Sequence, residues 1–338
     1  MTHRELPPFI QFLLEPGAYP HEAEEIKLVQ THISYVLLAG NFVYKIKKPV
    51  DFGFLNFTTL EQRKHFCSEE LLLNRRLCPD LYLGLETITR EGEGYALSGQ
   101  GEPVEYCVKM ARMPEERMMG KVMIRGELTG EMLDRIVEIL VPFYARAEGG
   151  EEIRQFGTAE AVSINVLENF VQTEAFVGCD SLGRTQYETI SRYAEKFLAR
   201  EDLFNDRIAA GKIRDCHGDL YSANICLADQ VYIYDCIEFN QRFRYCDTAS
   251  DVAFLAMDLD FHGLRNLSDY FIQRFCEKSQ DDGLLTMLNF YKCYRAYVRG
   301  KIGLFTAHAP EVDEATKQNC LIQAGKYFQL AESYAAAG

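Results

Sequence analysis

The sequence predicts an α+β protein of two lobes, a small β-rich one followed by a larger, mainly helical one. Three observations lead there. β-prone runs crowd residues 31–113 around one helical stretch, long helical periodicities fill most of the chain beyond them, and a short strand-like island interrupts these at 213–239. The composition supports a real core: 47% of the 338 residues are hydrophobic and 25% are charged, the proportions of a globular protein.

The first thirty residues, rich in Pro, Glu and His, read as a short helix around Ile10 to Leu14 and then a loop. Thr31 to Leu38 and Phe42 to Lys47 are β-prone runs separated by Ala39-Gly40-Asn41, the pattern of an antiparallel hairpin. Thr59 to Leu77 has helical spacing, with Leu60, Phe66, Leu73 and Leu77 expected on one face and Pro79 as its stop. Short strands are expected at Leu81 to Thr89, Tyr95 to Ser98 and Glu105 to Met113. Pro114 closes the strand-rich part, so the lobes are set at 1–111 and 112–338. Helices are expected at Thr129 to Glu148, about 158–176, Thr185 to Ala210, and from Thr248 to the end.

Charge and cysteine content exclude several function classes. A net charge of −14 argues against a nucleic-acid partner, because phosphate contacts need clustered Lys and Arg. No stretch approaches the ~18 to 20 apolar residues of a membrane helix. The start, Met1 to Pro8, lacks the basic and apolar parts of a secretory signal, so a cytoplasmic protein with no membrane partner is expected. Eleven cysteines occur without a C-x-x-C pair, and Cys216, Cys226, Cys236 and Cys246 fall ten apart without repeating neighbours. They read as small hydrophobes in a reducing compartment rather than disulfides or metal ligands.

The strongest chemical signal is His217-Gly-Asp-Leu-Tyr-Ser-Ala-Asn224, followed by Val231-Tyr-Ile-Tyr-Asp235. Phosphoryl transfer from ATP needs a carboxylate to orient the acceptor and oxygen ligands for magnesium on the phosphates. Kinases supply them as H-x-D-L-x-x-x-N and then an Asp at a strand end. Asp219 and Asn224 hold that spacing, and a strand would deliver Asp235 beside Asn224.

These motifs, with Asp247-Thr-Ala-Ser-Asp251-Val-Ala, resemble the aminoglycoside phosphotransferase and choline kinase group within the protein-kinase-like fold. Lys45-Ile-Lys-Lys-Pro-Val-Asp-Phe-Gly-Phe, Leu73-Asn-Arg-Arg-Leu and the run from Asp235 to Asp260 are similar to an uncharacterised bacterial branch of it. The resemblance spans about residues 30–300. It implies an ATP-dependent, magnesium-dependent phosphotransferase acting on a hydroxyl of a small molecule. It implies Asp219 as catalytic carboxylate, Asn224 and Asp235 as magnesium ligands, and His217 and Asp251 as supports of the loop. A small-lobe lysine is then needed for the phosphates. Lys45 fits best, and Lys47, on the same strand face by the period of two, is the alternative. Glu70 is its expected helix partner, with Glu69 close behind. The resemblance also implies that backbone near Met110 to Met113 binds adenine. Glu238 and Asp258 are candidate acceptor contacts, although Glu238, Arg242 and Arg244 could equally pair with one another, and Asp258, Asp260 and His262 read chiefly as a solvated helix end.

The chain departs from protein kinases in having no G-x-G-x-x-G before Lys45, no D-F-G and no A-P-E, and it has no P-loop. Two other readings stay open: a kinase-fold enzyme that modifies protein or transfers AMP, and a nucleotide-sensing pseudokinase that binds a partner. The motifs name neither the acceptor nor an oligomeric state.

Overall fold

The structure, a computed structural model, describes residues 6–310 and 312–338. The expectation drawn from the amino terminus rests largely on residues 1–5 and lies outside them. In chain order the elements are α1 (Pro8–Leu13), β1 (Ile26–Gln30), β2 (Ser34–Ala39), β3 (Phe42–Lys47), α2 (Leu60–Asn74), β4 (Tyr82–Glu91), β5 (Gly94–Leu97) and β6 (Glu102–Ala111). Then come α3 (Met119–Ile124), α4 (Gly130–Arg146), α5 (Glu151–Arg154), α6 (Ala159–Thr173), α7 (Arg184–Leu198), α8 (Glu201–Ala209) and β7 (Ile213–Asp215). The remainder is β8 (Ile225–Leu227), β9 (Val231–Ile233), α9 (Gln241–Arg244), β10 (Tyr245–Asp247), α10 (Thr248–Phe261), α11 (Arg265–Ser279), α12 (Leu284–Ala307) and α13 (Glu314–Ala337).

The chain divides into two compact units. The strand-rich unit holds residues 6–118 and 224–241 of the described chain, and the helical unit holds 119–223 and 242–338. In the strand-rich unit six antiparallel strands run in the order β1-β2-β3-β6-β4-β5. The β2–β3 hairpin pairs Ala39 with Phe42 across Gly40-Asn41. Gly40 has φ +56°, and a Cβ there would lie 2.5 Å from the Glu22 carbonyl oxygen, so glycine is required on both counts. Alternation along β3 separates two faces: Tyr44 and Ile46 join an apolar cluster with Leu37, Ile88 and Cys107, and Lys45 and Lys47 point to the opposite face.

Two expectations need correction here. Residues 26–30 form edge strand β1 rather than loop. They are mostly exposed, with Lys27 and Gln30 breaking up the apolar signal. The buried side of α2 is also only in part the expected face: it keeps Leu73 but adds Arg63, Cys67, Glu70 and Asn74, a helical spacing of mainly polar groups. Their charges are matched inside the fold, as in Arg63, whose Nε bonds both Glu105 carboxylate oxygens at 3.0 and 2.8 Å. A capping box starts the helix, Thr59 Oγ1 accepting from Gln62 N and Gln62 Oε1 from Thr59 N, both at 3.2 Å. Thr59→Ala should cost about 1 kcal/mol, readable by urea unfolding; an unchanged midpoint would show the cap to be idle.

Residues 224–241 join this unit through named bonds. Arg117 Nε donates to Leu227 O at 2.7 Å, Cys78 Sγ to Ile233 O at 3.2 Å, and Cys236 N to Asn74 Oδ1 at 2.9 Å. They bring the β8–β9 hairpin and Asp235 to α2 and the sheet.

In the helical unit, the expected run Thr185 to Ala210 is two helices, α7 and α8, broken at Ala199 and Arg200. Glu201 and Asp202 restart it, acids suited to a helix amino terminus. α10 is buried on all sides from Thr248 to Leu259, so its two carboxylates inside that span, Asp251 and Asp258, must find partners. No helix among the described residues is long and apolar enough to cross a membrane.

Candidate active site

In the strand-rich unit, β3 delivers two lysines to one glutamate. Lys45 Nζ lies 2.8 Å from Glu70 Oε1, and Lys47 Nζ lies 2.7 Å from Glu70 Oε2. Lys45 also donates to Asp235 Oδ1 at 2.5 Å, and Lys47 donates to Glu238 Oε1. Glu70, the glutamate that meets both lysines, is fully buried, and Glu69 is less so. Burial opposes ionisation of Glu70, but Lys45 and Lys47 outweigh it and hold its pKa down to about 2. Burial likewise opposes the Lys45 charge, yet Asp235 and Glu70 raise its pKa well above the ordinary value. Glu238 goes the other way: burial, aided by Glu70, raises its pKa against the pull of Lys47.

Asp235 has φ +62°, a left-handed conformation costly for a residue with a Cβ. Its N–H donates to the Tyr82 hydroxyl at 3.2 Å, and the next N–H donates to Asn74 Oδ1. Neither Tyr82 nor Asn74 stands out in the sequence as a site residue. Asn74 was findable, because it stands one turn after Glu70 on the same helix face and i, i+4 polar residues are neighbours. Asn224 is buried, and its carbonyl accepts from Tyr234 N at 3.0 Å, which sets it beside the segment that runs from β9 to Asp235.

In the helical unit, the loop bearing Asp219 is held from α10. Asp251 accepts from His217 N at 2.7 Å, from Gly218 N at 2.9 Å and from the Tyr144 hydroxyl at 3.0 Å. Asp258, two turns on, accepts from Ser222 N at 3.0 Å. His217 is fully buried, and its Nδ1 accepts from Asp219 N at 3.2 Å. Gly218 has φ +89°, a turn that glycine makes readily. Arg295 of α12, unremarked in the sequence, donates to Gly218 O at 3.0 Å. Against this frame the Asp219 side chain is half-buried.

Other candidates fall elsewhere. Arg242 pairs with Glu168 at 2.7 Å and Arg244 with Asp215 at 2.5 Å, rather than with Glu238. Asp260 bonds Lys292 and the Tyr334 hydroxyl, so it and the buried Asp258 are internal rather than solvated. Met110 is buried within β6, paired with Val43 and Tyr82; Met113 stands two residues beyond the strand and packs on the same apolar cluster.

In sequence, the chain is similar to uncharacterised proteins of Mycobacterium tuberculosis (strain ATCC 25618 / H37Rv) and Mycobacterium bovis. The identity is 36% over 283 residues, covering 82% of this chain and 54% of each relative. The chain thus spans about half the length of the curated relatives it matches. No family model matches it. In structure it is similar to a choline/ethanolamine kinase family protein from Mesorhizobium loti, with TM-score 0.53, 11% identity and 98% of each chain covered. It is similar to an aminoglycoside phosphotransferase-like protein from Ralstonia eutropha JMP134, with TM-score 0.51, 9% identity and 97% of each chain covered. It is also similar to an amicoumacin kinase solved with AMP-PNP, Ca2+ and Ami, with TM-score 0.56, 11% identity, and 96% of this chain and 93% of that one covered. The chain has the kinase-like fold that these proteins share, as the motifs implied. A fold by itself carries no substrate.

Proposed function

We propose that the chain is an ATP-dependent phosphotransferase that moves the γ-phosphoryl group to a hydroxyl of a small molecule. The observation that carries this reading is the Lys45 ammonium held between Glu70 and Asp235. That arrangement supplies a cation suited to phosphates with a carboxylate suited to a metal beside it. Asn224 and Asp235 offer only oxygen donors of a suitable kind, which fits magnesium: it is bound by one or two carboxylates plus substrate phosphates rather than by a full protein cage. Magnesium bound there would neutralise charge on the β- and γ-phosphates.

The protein's own groups do the remainder. Lys45 orients the phosphates, with Glu70 fixing its direction. Asp219 orients the acceptor hydroxyl and takes its proton as the oxygen bonds the γ-phosphorus. The bridging β–γ P–O bond breaks, and ADP leaves with that electron pair. Catalysis here is positioning plus electrostatic stabilisation. Backbone at Met110 to Met113 is the proposed adenine contact.

The test is thermal unfolding with and without Mg-ATP, on wild type and Asp235→Asn. Ligand at 100 times its dissociation constant should stabilise wild type by about 2.7 kcal/mol, a rise of several degrees that Asp235→Asn abolishes. No magnesium-dependent shift in wild type would sink the proposal. With binding established, an acceptor panel identifies the hydroxyl, and product mass separates phosphoryl from AMP transfer.

A further inference from the structure

Lys47 is unsuited to be a second phosphate ligand. Its side chain is 1% exposed. Its ammonium is engaged by Glu70 and Glu238 and lies 4.9 Å from the centre of the Phe57 ring. Glu238 is nearly as buried and stands three residues after Asp235. Buried ion pairs add little net stability compared with apolar packing, but they can specify one arrangement.

The segment they join needs specifying. It begins with the left-handed Asp235 and is tied at residue 235 to Tyr82 and at 236 to Asn74. Glu238 adds a third tie, to the strand that carries Lys45. Glu70, meanwhile, gives one oxygen to each lysine. If Lys45 turns to a phosphate, Glu70 keeps Lys47. The charges point the same way. Two ammoniums face three carboxylates, and of those three only Asp235 is substantially exposed, at 42% of its side chain against 0% and 5%. Asp235 is therefore the one of the three that a divalent cation could meet.

We infer that Lys47 and Glu238 are positioning residues for the metal site, fixing the segment that carries Asp235 against β3 and holding Glu70 while Lys45 exchanges Asp235 for phosphate. The inference rests on the nucleotide reading above, and its test separates the two. AMP-PNP binding is measured by calorimetry across a magnesium titration for wild type, Glu238→Gln, Lys47→Arg and the double variant Lys47→Met/Glu238→Gln. The double variant stands in for Lys47→Met, which leaves two buried carboxylates short of a partner and endangers folding.

Glu238→Gln and the double variant should each raise the magnesium concentration for half-maximal binding at least tenfold, as loss of a residue supporting a metal ligand does. At saturating magnesium their nucleotide affinity should return to near the wild-type value, and Lys47→Arg should restore part of the magnesium response. An unchanged magnesium requirement in the folded variants overturns the inference. So does a uniform loss of affinity at every magnesium concentration, which marks a merely structural pair. Wild type that binds no AMP-PNP at any magnesium concentration overturns the nucleotide reading, and the inference with it.

Discussion

Asp219→Ala should lower the rate of phosphoryl transfer by about 10²- to 10⁴-fold, the range for loss of a positioned acid–base group, while Mg-ATP binding stays close to wild type. The structure gives reason to expect a folded variant. The loop around Asp219 is held by bonds that do not use its carboxylate: His217 and Gly218 amides on Asp251, the Ser222 amide on Asp258, and the Gly218 carbonyl on Arg295. The bond from the Asp219 amide to His217 Nδ1 is backbone and survives the change. The effect should therefore fall on kcat. Asp235→Asn should strike nucleotide binding instead, and the contrast assigns separate jobs to the two carboxylates. Initial rates of ADP release with the best acceptor from a hydroxyl panel, beside calorimetric Mg-ATP affinities, make the measurement. A kcat unchanged in Asp219→Ala would remove it from the chemistry.

What was legible in the sequence was what is local. Period-two alternation and a Gly-Asn turn gave the β2–β3 hairpin, and the spacing of Asp219, Asn224 and Asp235 singled out the loop and strand. Lys45 and Lys47 could not be separated that way, because a period of two puts both on one face. What separates them is a residue far along the chain: Lys47 meets Glu238 across 191 positions, and Lys45 meets Asp235 across 190. The same holds for α2. A helix reading looks for an apolar face, and this helix turns inward a face whose charges are matched by Lys45, Lys47 and Glu105, all on strands. Asp258 reads in the sequence as part of a solvated helix end, yet it lies seven residues from Asp251 on a helix apolar nearly all round. Two carboxylates two turns apart in such a helix face the same way, and that spacing could have identified both as anchors of the loop.

The largest loss of stability is expected from Arg207→Ala, a change in the helical unit. Arg207 is buried in α8 and bonds Asp247 Oδ2 through Nε and Oδ1 through Nη2, at 2.8 and 2.7 Å. It bonds Asp281 as well, Nη2 to Oδ2 at 2.9 Å and Nη1 to Oδ1. Asp247 in turn caps α10, accepting from Ala249 N at 2.9 Å, so the guanidinium steadies the start of the helix that holds the Asp219 loop. Removing it leaves two buried carboxylates without their main partner, with Lys212, 3.5 Å from Asp281, and the Ala249 amide on Asp247 to help. The expected cost is about 3–5 kcal/mol at neutral pH, a fall in Tm of roughly 5–10 °C. The pH dependence has a definite sign. Burial alone would raise the Asp281 pKa, but its bonds to Arg207 and Lys212 bring it below the ordinary value. A carboxylate with a depressed folded pKa contributes stability above its unfolded value, about 3.9, and loses it as pH falls through the folded one. Without Arg207 that depression goes, so the deficit of the variant should be greatest near pH 7 and shrink as the pH drops below about 4. Urea unfolding at both pH values decides the matter. A deficit equal at the two would mean that packing of the arginine stem, not its charge, holds α8 to α10.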